Sequence, residues 1–132
     1  MDQMAYVKGA ASVETSTLAG PAIRTFENIA DRWRLKPAER MALLGNIPQS
    51  TYYRLRRTPD NATLTSDTLE RISHVLGIYK ALHVLFPSDE YADRWISEPN
   101  LEFDSATAKH KMLAGFTELV DVRRYLDAQR GW

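Results

Sequence analysis

The sequence predicts an all-α fold of about seven helices. Three observations carry that reading. Apolar residues recur at spacings of three and four in several separate segments, as amphipathic helices require. Proline and glycine punctuate those segments at Pro21, Pro37, Gly45, Pro48, Pro87, Pro99 and Gly115, where helices start or stop. No stretch alternates apolar and polar residues with the period of a strand. With 132 residues, 44% apolar and 26% charged, the chain suits one compact domain or two small ones sharing a core, and is too short for a large α/β enzyme.

The elements follow in order. Residues 1–19 are rich in Ala, Ser, Thr and Gly, lack sustained periodicity, and read as a flexible N-terminal arm without the apolar segment of a signal peptide. Pro21 suits a first helical position, and Ile23, Phe26, Ile29, Ala30 and Trp33 line one face of a helix over about 21–34. Pro37 opens a second helix with Met41, Leu43 and Leu44 as apolar positions, Glu39 near its start and Gly45 as its stop. Ile47 and Pro48 lead into a third helix through Arg56, with Tyr52 and Leu55 three apart, and Thr58-Pro-Asp-Asn61 forms a turn.

Ser66 and Asp67 are candidate caps for a long helix that ends before Pro87. Its apolar positions, from Leu69 to Phe86, cover so much of its circumference that it is expected as the buried spine, with Gly77 allowing close packing or a bend. Ser88 caps a short helix over about 89–97 carrying Tyr91, Trp95 and Ile96, and Pro99-Asn100 breaks it. Leu101 and Phe103 fall in a loop, and helices near 105–114 and 116–129, divided at Gly115, complete the chain.

Composition excludes several functions. With no cysteine there is no disulfide scaffold, thiolate metal site or cysteine nucleophile. No apolar run approaches the roughly 18 residues of a membrane span, so no membrane partner is expected and a cytoplasmic location is. His74, His83 and His110 lack metal-ligand spacing, and Asp89, Glu90 and Asp93 most simply favour a helix N-terminus. No Gly-rich phosphate loop or nucleophile motif accompanies the acids, which points to a binder without cofactor or metal and not to an enzyme.

The net charge is zero, with 17 basic and 17 acidic residues, but it is unevenly spread. Gly20 to Arg57 carries eight basic and three acidic residues, or +5, whereas Thr58 to Trp132 carries −4 and the first nineteen residues −1. Such asymmetry suggests two jobs on one chain.

The basic half contains a candidate helix-turn-helix over residues 37–57, two short helices joined by a glycine turn. In this register Ile47, Tyr52 and Leu55 point inward, while Gln49, Ser50, Tyr53 and Arg54 point outward, flanked by Thr51. Gln can pair with adenine, Ser with bases or phosphate, and Arg with guanine or phosphate. Arg56 and Arg57, at the helix end, suit the phosphate backbone. A plain helical hairpin with a solvated basic face has the same spacing.

The segment Ile47-Pro-Gln-Ser-Thr-Tyr-Tyr-Arg-Leu55 resembles the recognition helix of Xre/Cro-type repressors. The rest of the chain is similar to the toxin-binding domain of the Xre/MbcA/ParS antitoxin family, through the long helix to Phe86-Pro87, Ala92-Asp-Arg-Trp-Ile-Ser-Glu-Pro-Asn100, Met112-Leu-Ala-Gly115 and Arg123-Arg-Tyr-Leu-Asp-Ala-Gln-Arg-Gly-Trp132. The resemblance covers roughly residues 21–132. Leu101 to Thr107 departs from the Gly-rich, Pro-containing turn that members often carry. The resemblance implies a helix-turn-helix DNA-binding region over 20–61 and a helical toxin-binding domain over 62–132. It also implies an antitoxin of a type II system that blocks a RES-domain, NAD-consuming toxin and represses its own operon. A homodimer within a larger complex is expected, because one short recognition helix reads few base pairs and paired half-sites supply the affinity.

The family's C-terminus lies at the toxin's active-site opening, which makes Gly131 and Trp132 a candidate plug. Arg123, Arg124, Asp127 and Arg130 then become candidate toxin contacts, with Asp127 able to answer cationic phosphate ligands. A frayed terminus and a solvated helix face are the simpler readings of the same residues. Trp95, Pro99 and Asn100 read as structural. The rival functions are a stand-alone helix-turn-helix transcriptional regulator with a helical dimerisation or ligand-sensing domain, and an interaction module that has lost DNA binding.

Overall fold

The computed structural model describes the backbone of residues 3–131 and the side chains of residues 18–131. Among these residues it has seven α-helices and no strand beyond an isolated antiparallel bridge between Pro99 and Thr107, which is the predicted all-α architecture.

Helix α1 runs Gln3–Arg32 and passes through Pro21. The start expected at Pro21 is therefore corrected, and the stretch expected as an arm is helical from Gln3 onward. Proline at a helix start and proline inside a long helix look alike in sequence. The interior ring forgoes an intrahelical hydrogen bond at a cost of ~3 kcal/mol, which a helix packed along its length can absorb. Its buried stripe is Ala19, Ile23, Phe26, Ile29, Ala30 and Trp33. The helix closes with Arg34 N–H bonded to the Asp31 carbonyl and Leu35 N–H to the Ala30 carbonyl, Arg34 taking a left-handed φ of 56°. This pairing is the Schellman arrangement, whose left-handed position usually holds glycine.

Helices α2 (Pro37–Leu43) and α3 (Gln49–Arg57) are the expected pair, shifted by a residue at α3. The Glu39 carboxylate accepts the Lys36 N–H at 2.7 Å and so satisfies a donor at the start of α2. Gly45 at φ 108° and Asn46 at φ 57° turn the chain between them, a backbone path that L side chains resist.

Helix α4 (Ser66–Leu85) is the spine, packed against α1 and against α7 (Phe116–Gln129). Its cap is Thr65, whose hydroxyl accepts the Thr68 N–H at 3.1 Å, and not Ser66 or Asp67. Asp67 is instead paired with Arg71, one turn on, at 3.0 Å. The buried Thr68 hydroxyl donates to the Leu44 carbonyl at 2.9 Å, so the spine satisfies the C-terminus of α2. Ile78 and Leu82 of α4 and Leu119, Val122 and Leu126 of α7 are buried in the core where these two helices pack. Gly77 supplies the close packing: a methyl group there would lie 2.5 Å from the guanidinium carbon of Arg123.

The helix expected over 89–97 divides into α5 (Asp89–Arg94), capped by Ser88, and a 3₁₀ turn at Trp95–Ser97. Leu101–Phe103 form another 3₁₀ turn where an open loop was expected. Asn100 closes this segment: its side chain accepts the Glu102 N–H at 2.9 Å, its carbonyl the Ser105 N–H at 3.0 Å, and its own N–H meets the Ala106 carbonyl. Asp104 and Ser105 have φ of 54° and 66°, which no helix admits, so α6 starts at Ala108 with Thr107 as its cap and not near 105. Trp95 is buried as expected, stacked on Tyr125 at 6.4 Å and edge-on to Phe103.

Candidate functional site

The helix-turn-helix is locked from behind by a polar network. Arg40 of α2 is buried and reaches back to α1, donating to Glu27 at 2.9 Å, to Asp31 at 2.8 Å and to the Leu35 carbonyl at 3.0 Å. Tyr52 of α3, also buried, donates its hydroxyl to the same Glu27 carboxylate at 2.9 Å, and Arg56 approaches it at 3.5 Å. One carboxylate thus ties three helices. Burial works against the Arg40 charge, but Asp31, Tyr52 and Glu27 overcome it and raise the guanidinium's affinity for its proton. Burial and the adjoining Glu27 carboxylate push the Tyr52 hydroxyl up as well, keeping it protonated as a donor. No sequence signal marks this network, since Arg40, Glu27 and Asp31 look like ordinary polar faces of two helices.

The outer face of α3 is the opposite. Gln49, Ser50, Arg54, Arg56 and Arg57 are exposed, and Thr51 is half-buried. Arg54 and Arg57 have no ion pair among the described residues. Tyr53 is corrected: it is half-buried, edge-on to Tyr52 with ring centroids 5.1 Å apart, because the two adjacent tyrosines pack on each other.

The +5 half also shrinks in three dimensions. Arg24 pairs with Asp60, Arg32 lies 3.8 Å from Asp93, and Arg40 and Arg56 share Glu27. What stays without an ion pair among the described residues is Arg34, Lys36, Arg54 and Arg57, a smaller positive surface than the count along the chain implies.

In the C-terminal half the residues singled out as toxin contacts are not all alike. Arg123 folds back over Gly77, donating towards the Ser73 carbonyl at 3.4 Å and the His74 Nδ1 at 3.3 Å, and lies 3.6 Å from Asp127. Arg123 and Asp127 are therefore engaged within the chain. Arg124 and Gly131 are exposed, Arg130 is half-buried, and Trp132 lies outside the described residues. Burial and the Arg123 charge hold His74 below the usual histidine range. Sequence spacing also missed the partners of His83: α5 brings Asp89 to 3.1 Å from its Nδ1 and Asp93 to 2.8 Å from its Nε2. Asp89 and Asp93 thus fasten α5 to α4, while Glu90 faces Arg94 at 3.6 Å. Among the described residues no group of three or more His or acidic side chains has a geometry that could hold a metal, and no helix is long and apolar enough to cross a membrane.

A locked helix pair with a free polar face on the second helix defines a helix-turn-helix protein, followed here by a compact helical unit. Family comparison agrees and goes further. Residues 12–77 match the antitoxin Xre-like helix-turn-helix domain, and residues 81–131 match the antitoxin Xre/MbcA/ParS C-terminal toxin-binding domain. A Sinorhizobium fredii (strain NBRC 101917 / NGR234) protein described as "Uncharacterized protein y4oB" is 43% identical over 126 residues, covering 95% of this chain and 96% of its own. The chain belongs to the Xre/MbcA/ParS antitoxin family and is an antitoxin with a toxin-binding domain. The two matched ranges meet inside α4, so the spine is shared between them.

Proposed function

We propose that this antitoxin works by binding alone, with two surfaces. The exposed face of α3 enters the major groove of its operator, with Gln49, Ser50, Thr51 and Arg54 at the bases, Tyr53 at the edge of the contact, and Arg56 and Arg57 on the phosphates. The observation that carries this reading is the contrast on one helix: Tyr52 is fixed from behind by Glu27, while Gln49, Ser50 and Arg54 stand exposed in front of it. A recognition element must be rigid, because an unordered helix would lose much of its contact energy to ordering. One short helix reads few base pairs, so the operator complex is proposed to be a homodimer on paired half-sites. Its effect is repression of the antitoxin's own operon.

The second surface is the end of the C-terminal domain. Arg124, Arg130, Gly131 and Trp132 are proposed to meet a RES-type, NAD-consuming toxin, with Arg123 and Asp127 shaping the helix that presents them. The toxin-binding match over 81–131 supports the surface, and the identity of the toxin rests on the family resemblance. The test uses the neighbouring reading frame. Co-expressed with the full chain, a RES-type toxin should lose its NAD consumption and copurify with the antitoxin. Deleting Gly131 and Trp132 should weaken inhibition, and undiminished inhibition refutes the plug.

A further inference from the structure

A cleft of about 470 Å³ opens between the end of α1 and the α5–α6 region. Its walls come from both family-matched ranges: Arg32, Trp33 and Arg34 on one side, Arg94 and Lys109 on the other. The volume lies within the range of small-molecule sites. Four cations line it against two acids, Glu90 and Asp93. Three of the cations have partners at long range: Arg32–Asp93 at 3.8 Å, Arg94 with Glu98 at 3.3 Å and Glu90 at 3.6 Å, and Lys109–Glu39 at 3.3 Å. These separations exceed the 2.7–2.9 Å of a close charge-assisted hydrogen bond, so the cations can turn to another anion at little cost.

Two further observations point to an occupant. Arg34 stands in the left-handed position that closes α1, where the fold favours glycine, and its guanidinium has no ion pair among the described residues. An arginine kept where backbone strain opposes it is best explained by what its side chain binds. Trp33, only 3% exposed, also lines the cleft, and its indole N–H meets no acceptor among the described residues. A buried donor without an acceptor is costly unless a ligand supplies one.

We propose that this cleft binds a small phosphorylated molecule of the nucleoside phosphate class. Its phosphate is held by the guanidinium groups of Arg34 and Arg94 and the ammonium of Lys109, the forked geometry that guanidinium offers to phosphate. Its hydroxyl or amino donors face Glu90, since Asp93 is already held by His83 at 2.8 Å. The site is separate from the exposed face of α3 and from the C-terminal residues assigned to the toxin.

The experiment is a titration of the full-length, isotope-labelled protein with AMP, followed on the indole N–H signals of its three tryptophans. Trp33→Phe identifies the Trp33 signal. AMP should move that signal saturably, while adenosine, lacking the phosphate, should not. Arg34→Gly relieves the left-handed strain, so its melting temperature should equal or exceed that of the parent, yet its AMP affinity should fall roughly tenfold or more with the loss of one charged contact. Lys80→Gln, on the exposed side of α4, should bind AMP as the parent does. The proposal is overturned by the absence of a saturable shift at millimolar AMP, by equal binding of adenosine, or by undiminished affinity in Arg34→Gly. A DNA duplex that moves the Trp33 signal where AMP does not would assign these cations to a nucleic-acid backbone and overturn it too.

Discussion

The two halves of this antitoxin are held together by different physics. Behind α3, the helix-turn-helix adds to its apolar core a polar tie through one half-buried carboxylate, Glu27, gripped by Arg40 and Tyr52. Between α4 and α7, the C-terminal half relies on apolar side chains such as Ile78, Leu82 and Val122, with polar contacts from Arg123 confined to its margin. A charged network fixes direction as well as distance, whereas apolar packing tolerates small shifts. The half that must present a recognition helix at one angle is the half with the network. The half that meets another protein keeps a tolerant core and places its polar residues at the rim.

Removing the Glu27 network should have the largest effect on stability. Arg40→Leu leaves Glu27 and Tyr52 without their buried cation and should destabilise the fold by about 3 kcal/mol or more, read from denaturant unfolding. A change well below 1 kcal/mol would place the stability of the first half elsewhere. Next in size is the turn. Gly45→Ala forces a side chain into φ 108° and to within 3.1 Å of Asp67, and should cost about 1–3 kcal/mol by the same measurement.

The C-terminal half should respond to pH. His74 is held below the usual histidine range by burial and by Arg123, so the unfolded chain binds the proton more readily than the folded one. Its contribution is complete above the ordinary histidine value of about 6.5 and is lost as pH falls below it towards the lowered folded value. Melting curves between neutral and mildly acid pH should show a stability loss that His74→Gln reduces. An unchanged slope in that variant would separate His74 from the junction of α4 and α7.

The smallest effect on stability is expected on the outer face of α3. Arg54 is exposed and has no ion pair among the described residues, so Arg54→Ala should change stability by about 0.5 kcal/mol or less. The same change should weaken operator binding and flatten its dependence on salt, read by fluorescence anisotropy. Equal affinity would reject this register of the recognition helix.

What the sequence made legible follows from the range of the interactions concerned. Apolar spacing and punctuation by Pro37, Gly45 and Gly115 are local signals, and they placed α2, α3 and α7 within a residue or two. Pro21 misled because its local signal is the same at a helix start and within a helix. The outward face of α3 was legible from period alone, except for Tyr53, whose packing on Tyr52 depends on the neighbouring ring. The Glu27 network, the clasp of His83 by Asp89 and Asp93, and the engagement of Arg123 with α4 join residues distant in sequence or on separate helices. No periodicity encodes them. Gly77 is the exception that helped: a glycine within an otherwise apolar helix marked the place where Arg123 approaches.

The most direct measurement is neutralisation in living cells, with growth followed while a RES-type toxin is expressed together with this chain. The expectation is that the full chain restores growth and that Arg54→Ala restores it equally, since that residue belongs to the proposed DNA surface, while the variant lacking Gly131 and Trp132 restores it poorly. A toxin that stays lethal beside a folded, full-length chain would contradict it.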